Sequence, residues 1–360
     1  MNAPTPDPAE PTAPTAPASV EPHLPANDLL IVRIFLGRSG LRAGWGILLF
    51  LGLCVGLFLC LNLVQALLFP HSLAPLAFNT PRGLMTSEGR ELLAVALASL
   101  AMAVIERRSL SDYGFASKRG VRNFAAGFGW GLALLSLLVL TLRARSLLVF
   151  DARLLHGVAA LRYAAIWLVG FLLVGLFEES LFRGYLQSTL ARGIDGIYRW
   201  LGATGSHPAE SNAAGTSAVG FWATALLISF SFGFTHRTNP GESPIGLLSA
   251  ALIALVFCLS LWRSGSLWWA IGFHTAWDWA ESFLYGVSDS GTTVVGHLFA
   301  THPTGRTILS GGLTGPEGSL YILPIIALAI AAILLTLPHA PRPESHSMSL
   351  AEAPLPLTLD

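Results

Sequence analysis

The chain has 360 residues, of which 53% are hydrophobic and 12% charged, against about 25% charged in a soluble globular domain. Its formal net charge is zero, so there is no basic or acidic field to draw nucleic acid or acidic partners. This composition points to a chain embedded in a bilayer. Cys54, Cys60 and Cys258 all lie in apolar runs without metal-type spacing. They read as small apolar filler, not as a disulfide framework or a zinc knuckle.

Eight prolines fall between Pro4 and Pro25, so residues 1–28 are expected to form a disordered, partly extended tail. That stretch has neither a basic n-region nor an apolar h-region, and does not read as a cleavable signal peptide. Residues 29–337 are expected to form the transmembrane domain. A second disordered tail is expected over 338–360.

Seven apolar segments approach the roughly 20 residues needed to cross about 30 Å of hydrocarbon. They lie near 45–69, 124–142, 159–181, 217–236, 245–262, 266–286 and 319–337, and an eighth, 91–106, is shorter. No period-2 pattern competes, and lipid satisfies no backbone groups. The expected fold is therefore an all-α polytopic transmembrane helical bundle of about eight spans, with seven as the alternative. No repeat of 20–50 residues suggests a solenoid or an inverted-repeat transporter. With both termini cytoplasmic, the segments on that side hold 13 of the 21 basic residues. The cluster Arg107, Arg108, Lys118, Arg119 and Arg122 dominates that bias.

An ionisable side chain within a span costs about 2.5–3.5 kcal/mol on insertion scales, so each one needs a partner or a task. Most of the ten histidines lie in polar stretches, but His236 ends an apolar run and His274 lies inside one. The third outlier is Glu178-Glu179-Ser-Leu-Phe-Arg183. Glu179 and Arg183 are four apart with the acid first, the favourable order for a helical ion pair. Glu178 is turned about 100° away. It is left as a desolvated carboxylate suited to general-base work near neutrality. His274 and Asp278 share a face, and Glu281 continues that stripe. Taken singly, each set could be an interfacial charge cluster or a structural hydrogen-bond pair.

Taken together and in this order, the three sets resemble the CAAX-protease and bacteriocin-processing family of intramembrane endopeptidases. Its pattern is E-E-x-x-x-R, then F-x-x-x-H, then H-x-x-x-N or D. Here these are Glu178–Arg183, Phe232–His236 and His274–Asp278. Arg263-Ser-Gly-Ser-Leu-Trp before the third motif and the glycine-rich stretch 311–319 extend the likeness to about residues 90–335. The resemblance implies hydrolysis of a peptide bond by a Glu178-activated water beside His236, with His274 and Asp278 binding metal or contacting the oxyanion. Glu179 and Arg183 complete the implied catalytic set. A zinc-assisted variant would take Glu178, His236, His274 and Asp278 as ligands. An ionised Asp at 278 cannot donate to an oxyanion as Asn can, so Asp278 is expected to orient His274 or bind metal. The implied partners are a peptide or membrane-protein substrate and the bilayer, and the implied location is a bacterial inner membrane.

In a simple alternating topology Glu178 and His236 close their spans on opposite sides. They can meet only if the first-motif helix continues past Arg183 towards Leu190, as a rod of about 30 residues and 45 Å. Two other functions compete. One is a proton-coupled transporter using Glu178, Glu179 and Asp278 as relays, and the other is a catalytically silent immunity or scaffold protein. The string Gly37-Arg38-Ser39-Gly40 is a poor serine-protease motif, lying before the first span.

Overall fold

The computed structural model describes residues 34–37, 40–69, 77–115, 117–201 and 216–338. The expected tails, 1–28 and 338–360, lie outside the described residues except for Pro338, as do Arg38 and Ser39. The unit ending at Leu41 contains a short antiparallel pair, β1 (Leu36–Gly37) with β2 (Gly40–Leu41). All that follows concerns the second unit, from Arg42 onward.

Each of the eight apolar segments is helical. The helices are α1 (Ala43–Leu68), α2 (Pro81–Ile105), α3 (Gly120–Ala144), α4 (Gly157–Glu179), α5 (Gln187–Trp200), α6 (Ala218–Thr235), α7 (Pro244–Ser264), α8 (Trp268–Asp278), the short α9 (Thr307–Ser310) and α10 (Ile322–Thr336). Among the described residues five are long and apolar enough to cross a membrane unaided: α1, α3, the rod Gly157–Tyr198, Ala218–Thr238 and α7. The remaining apolar segments, α2, α8 and α10, fall short of that measure in length or apolarity. α2 starts at Pro81, well before the apolar run at 91. Thr80 caps it by accepting from Gly83 N at 3.2 Å, and Pro81 occupies the first helical position, where its missing N–H costs nothing.

The first-motif helix does continue. α4 passes through a π-helical turn, Ser180–Leu186, directly into α5. The resulting rod of 42 residues is roughly 63 Å long at 1.5 Å per residue, so Glu178 sits near its middle. α8 likewise runs on through a second π turn, Trp279–Tyr285. The helices of the first and third motifs thus widen immediately after Glu179 and Asp278, where such turns often mark functional positions.

α8 is the buried centre of the bundle, with Trp269, Ala270, Ile271, Phe273, Ala276 and Trp277 all in the core. It lies backbone to backbone against α3: a side chain at Gly127 or Gly131 would run into the Trp269 or Phe273 carbonyl. Such small-residue seams let membrane helices approach closely. On the other flank Gly175 of α4 faces Thr275 Oγ1 and the Ile271 carbonyl, which places Glu178 and Glu179 one turn later beside His274. The opposite extreme is α1, whose most apolar stretch is only 6% buried. It is tied to the bundle near its start, where the Glu106 carboxylate approaches Gly46 and accepts from Tyr185 OH at 2.7 Å.

Interhelical loops collect at two ends. At one, Val295 N donates to Asn79 O at 2.8 Å and Thr314 Oγ1 to Gly241 O at 3.0 Å. There β3 (Leu148–Arg153) also pairs antiparallel with β4 (Phe299–Pro303), with a register irregularity between Phe150 and Ala152. At the other end Leu267 N donates to Gly114 O at 3.0 Å, and Trp268 Nε1 to Phe115 O at 3.0 Å. The small sheet lies in two loops whose polar character hid it from a search for spanning segments. Its ladder satisfies backbone groups outside the helices.

Candidate active site

The three motifs converge on His274. Its Nδ1 lies 3.2 Å from Glu179 Oε1, and its Nε2 lies 3.5 Å from both Glu178 Oε2 and Asp278 Oδ2. Glu179 Oε1 also accepts from Arg183 Nη1 at 3.0 Å, and neither side chain of that pair is exposed. The Arg183 guanidinium rests 4.5 Å from the centre of the Phe232 ring, a cation–π contact in a dry setting. Phe232 is also the residue whose carbonyl engages His236 Nδ1, at 2.9 Å. A carbonyl only accepts, so Nδ1 carries the proton and Nε2 is left as the acceptor. The phenylalanine of the second motif therefore joins Arg183 to His236.

A cavity of about 530 Å³ opens against this cluster, and Glu178, His236, His274 and Asp278 all line it. The two adjacent acids are split: the Glu178 side chain is 23% exposed and Glu179 is 0% exposed. Apolar walls come from Phe78, Leu84, Phe171 and Val174. The polar rim includes Asn239, Asp289, Ser290 and Glu317, all in loops at one end of the bundle. None of these four was singled out in the sequence. Asn239 closes the turn after His236, but Asp289 and Glu317 are ordinary loop acids until the fold brings them in. Burial, then the charge of Glu317, pushes the Asp289 carboxyl up to about 7. Glu88 on α2 is also buried, with Oε2 unpartnered.

Zinc holds N and O donors at about 2.0–2.2 Å, so its ligands lie within roughly 3.5 Å of one another. His274 Nε2 has that spacing to Glu178 and to Asp278 separately. One nitrogen of His236 is engaged by the Phe232 carbonyl, and the four expected ligands do not gather as one set. Among the described residues, the group whose ligand atoms all lie within 4.8 Å of one another is Glu281, Asp289 and Glu317. The expected zinc set does not fit in this arrangement.

Fold and cluster together define a helical membrane protein with carboxylates and histidines gathered on a cavity inside the bundle. Residues 160–280 match the family model described as type II CAAX prenyl endopeptidase, Rce1-like. The matched segment carries all six site residues of the three motifs, so the CAAX-protease resemblance holds where the motifs lie. That family implies an intramembrane endopeptidase. Neither the curated proteins nor the solved structures give a match.

Proposed function

We propose that the protein hydrolyses a peptide bond in this cavity with a water activated by Glu178. The observation that carries the reading is the split acid pair, with Glu178 on the cavity 3.5 Å from His274 Nε2 and Glu179 held behind by Arg183. Glu178 and the acceptor Nε2 of His236 hold the water. Glu178 takes its proton as the oxygen attacks the scissile carbonyl. His274, protonated on both ring nitrogens with its Nδ1–H held by Glu179, donates from Nε2 to the developing oxyanion. The proton on Glu178 then passes to the departing amine, which regenerates the carboxylate. Phe78, Leu84, Phe171 and Val174 suit an apolar group next to the scissile bond, so the substrate class is a peptide or membrane-protein segment.

The test is cleavage of a quenched peptide library by purified protein, wild type against Glu178→Gln. Loss of a general base should lower kcat by about 10²–10⁴-fold with no change in melting temperature. Undiminished cleavage by the variant would end the proposal. The reading includes a bacterial inner membrane with both termini cytoplasmic. Single cysteines in 107–122 should then label only from the cytoplasmic side, and those in 287–318 only from the other. Labelling of both loops from one side would break the alternating topology.

A further inference from the structure

We infer that Glu281, Asp289 and Glu317 form a binding site for a hard divalent cation of the Ca²⁺ type, distinct from the peptidase cluster. One oxygen from each lies within 4.8 Å of the other two. Two oxygens on opposite sides of a Ca²⁺ held at 2.3–2.6 Å are about 4.6–5.2 Å apart, so the spacing suits ligands of a single ion. The donors are all carboxylate oxygens, without His or Cys, which favours Ca²⁺ or Mg²⁺ over zinc. All three residues lie outside the family match at 160–280.

The second observation is Glu281 itself. It is fully buried, and neither of its carboxylate oxygens has a hydrogen-bond partner. Asp289 and Glu317 are held by neutral donors: Ser282 Oγ reaches Asp289 Oδ2 at 3.1 Å, and Trp277 Nε1 reaches Glu317 Oε1 at 2.8 Å. Among the described residues no Lys, Arg or His forms an ion pair with any of the three. Buried polar groups in native proteins find partners, and a buried carboxylate without a counter-charge calls for a cation or a proton.

The backbone is shaped to bring these side chains together. Glu281 comes from the π turn after α8, Asp289 from the next loop and Glu317 from the turn Pro316–Gly318. Gly315, at φ +107°, lies so close to the Ser288 carbonyl that any side chain there would collide, and a Cβ at this position would stand 3.4 Å from Glu281 Oε1. Asp289, Ser290 and Glu317 also line the catalytic cavity, so the cation would clamp the loop wall of that cavity to α8. This inference does not depend on the peptidase reading.

The test uses Tb³⁺ as a luminescent Ca²⁺ mimic on the full chain in detergent, excited through tryptophan, since Trp277 touches Glu317. Wild type should give sensitised emission that Ca²⁺ displaces, and its melting temperature should rise with added Ca²⁺. Glu281→Gln should lose both responses, whereas Glu178→Gln should keep both. If Glu281→Gln fails to fold, Asp289→Asn serves, with at least a tenfold weaker Tb³⁺ affinity expected. No wild-type emission, emission unchanged in both the Glu281 and Asp289 variants, or loss of emission in Glu178→Gln would each overturn the site.

Discussion

Glu179 and Glu281 are both fully buried, and both adjoin or lie within a π turn next to a motif residue, yet their surroundings are opposite. Glu179 accepts from Arg183 and faces His274 within 3.2 Å. Glu281 has no hydrogen-bond partner at either oxygen. The first carboxylate is paired with side chains of its own domain and is a fixed support for His274. The second is completed by something from solution. A buried charge is costly to leave alone in either place, so the same physical demand yields a rigid scaffold in one case and a ligand-dependent joint in the other.

Removing one member of the internally paired cluster should give the largest effect. Glu179→Gln leaves the Arg183 guanidinium buried without its counter-charge, and breaking such a pair costs about 3–5 kcal/mol. The variant should accumulate poorly and melt far below wild type. The double change Glu179→Gln with Arg183→Met should recover much of that loss, because it removes both charges. A singly substituted protein that melts like wild type would show that Arg183 finds its charge elsewhere, and the comparison would fall.

Glu281→Gln should act in the opposite direction. In chelator it removes a buried charge that has no partner, so stability should hold or rise, by about 1–3 kcal/mol at most. With saturating Ca²⁺ the order should reverse, wild type melting above the variant. Thermal melts in the two buffers read this crossover. A variant that is less stable in both would mean that Glu281 is held by protein groups, as Glu179 is.

The internally paired cluster was legible in the sequence and the other largely was not, for a physical reason. Helical spacing places Glu179 over Arg183 and His274 over Asp278, and a charged residue inside an apolar run announces itself. The need for the first-motif helix to run past Arg183 was also visible, because Glu178 and His236 could not otherwise share a depth. The π turns were not, since local sequence carries no marker for one extra residue per turn. Glu281 was visible on the stripe with His274 and Asp278. Asp289 and Glu317 sit in polar loops where acids are ordinary, and only the folding of 286–321 over the bundle end makes them neighbours. The β3–β4 pair and the early start of α2 were missed likewise, because apolar length was the signal and both lie outside it.

The smallest effect is expected at Asp278, which stands between the clusters: it lines the cavity and lies 3.5 Å from His274 Nε2. At that distance it stands beside the ring without a hydrogen bond to it. In the metal-free scheme Asp278→Asn keeps the shape and supplies an N–H donor close to where the oxyanion develops. The lost carboxylate and the gained donor act in opposite senses, so cleavage should stay within about tenfold of wild type, a change of about 1.4 kcal/mol in the barrier. It should also survive chelator. A zinc centre would behave otherwise, since losing a carboxylate that ligates the metal or fixes its histidine typically costs about 10–100-fold. Measuring kcat/KM for wild type and Asp278→Asn, with and without chelator, separates the two. A large, chelator-sensitive loss would mean that Glu178, His236 and His274 close around a metal when substrate binds, and that the open spacing of these donors is the resting state of a metallopeptidase.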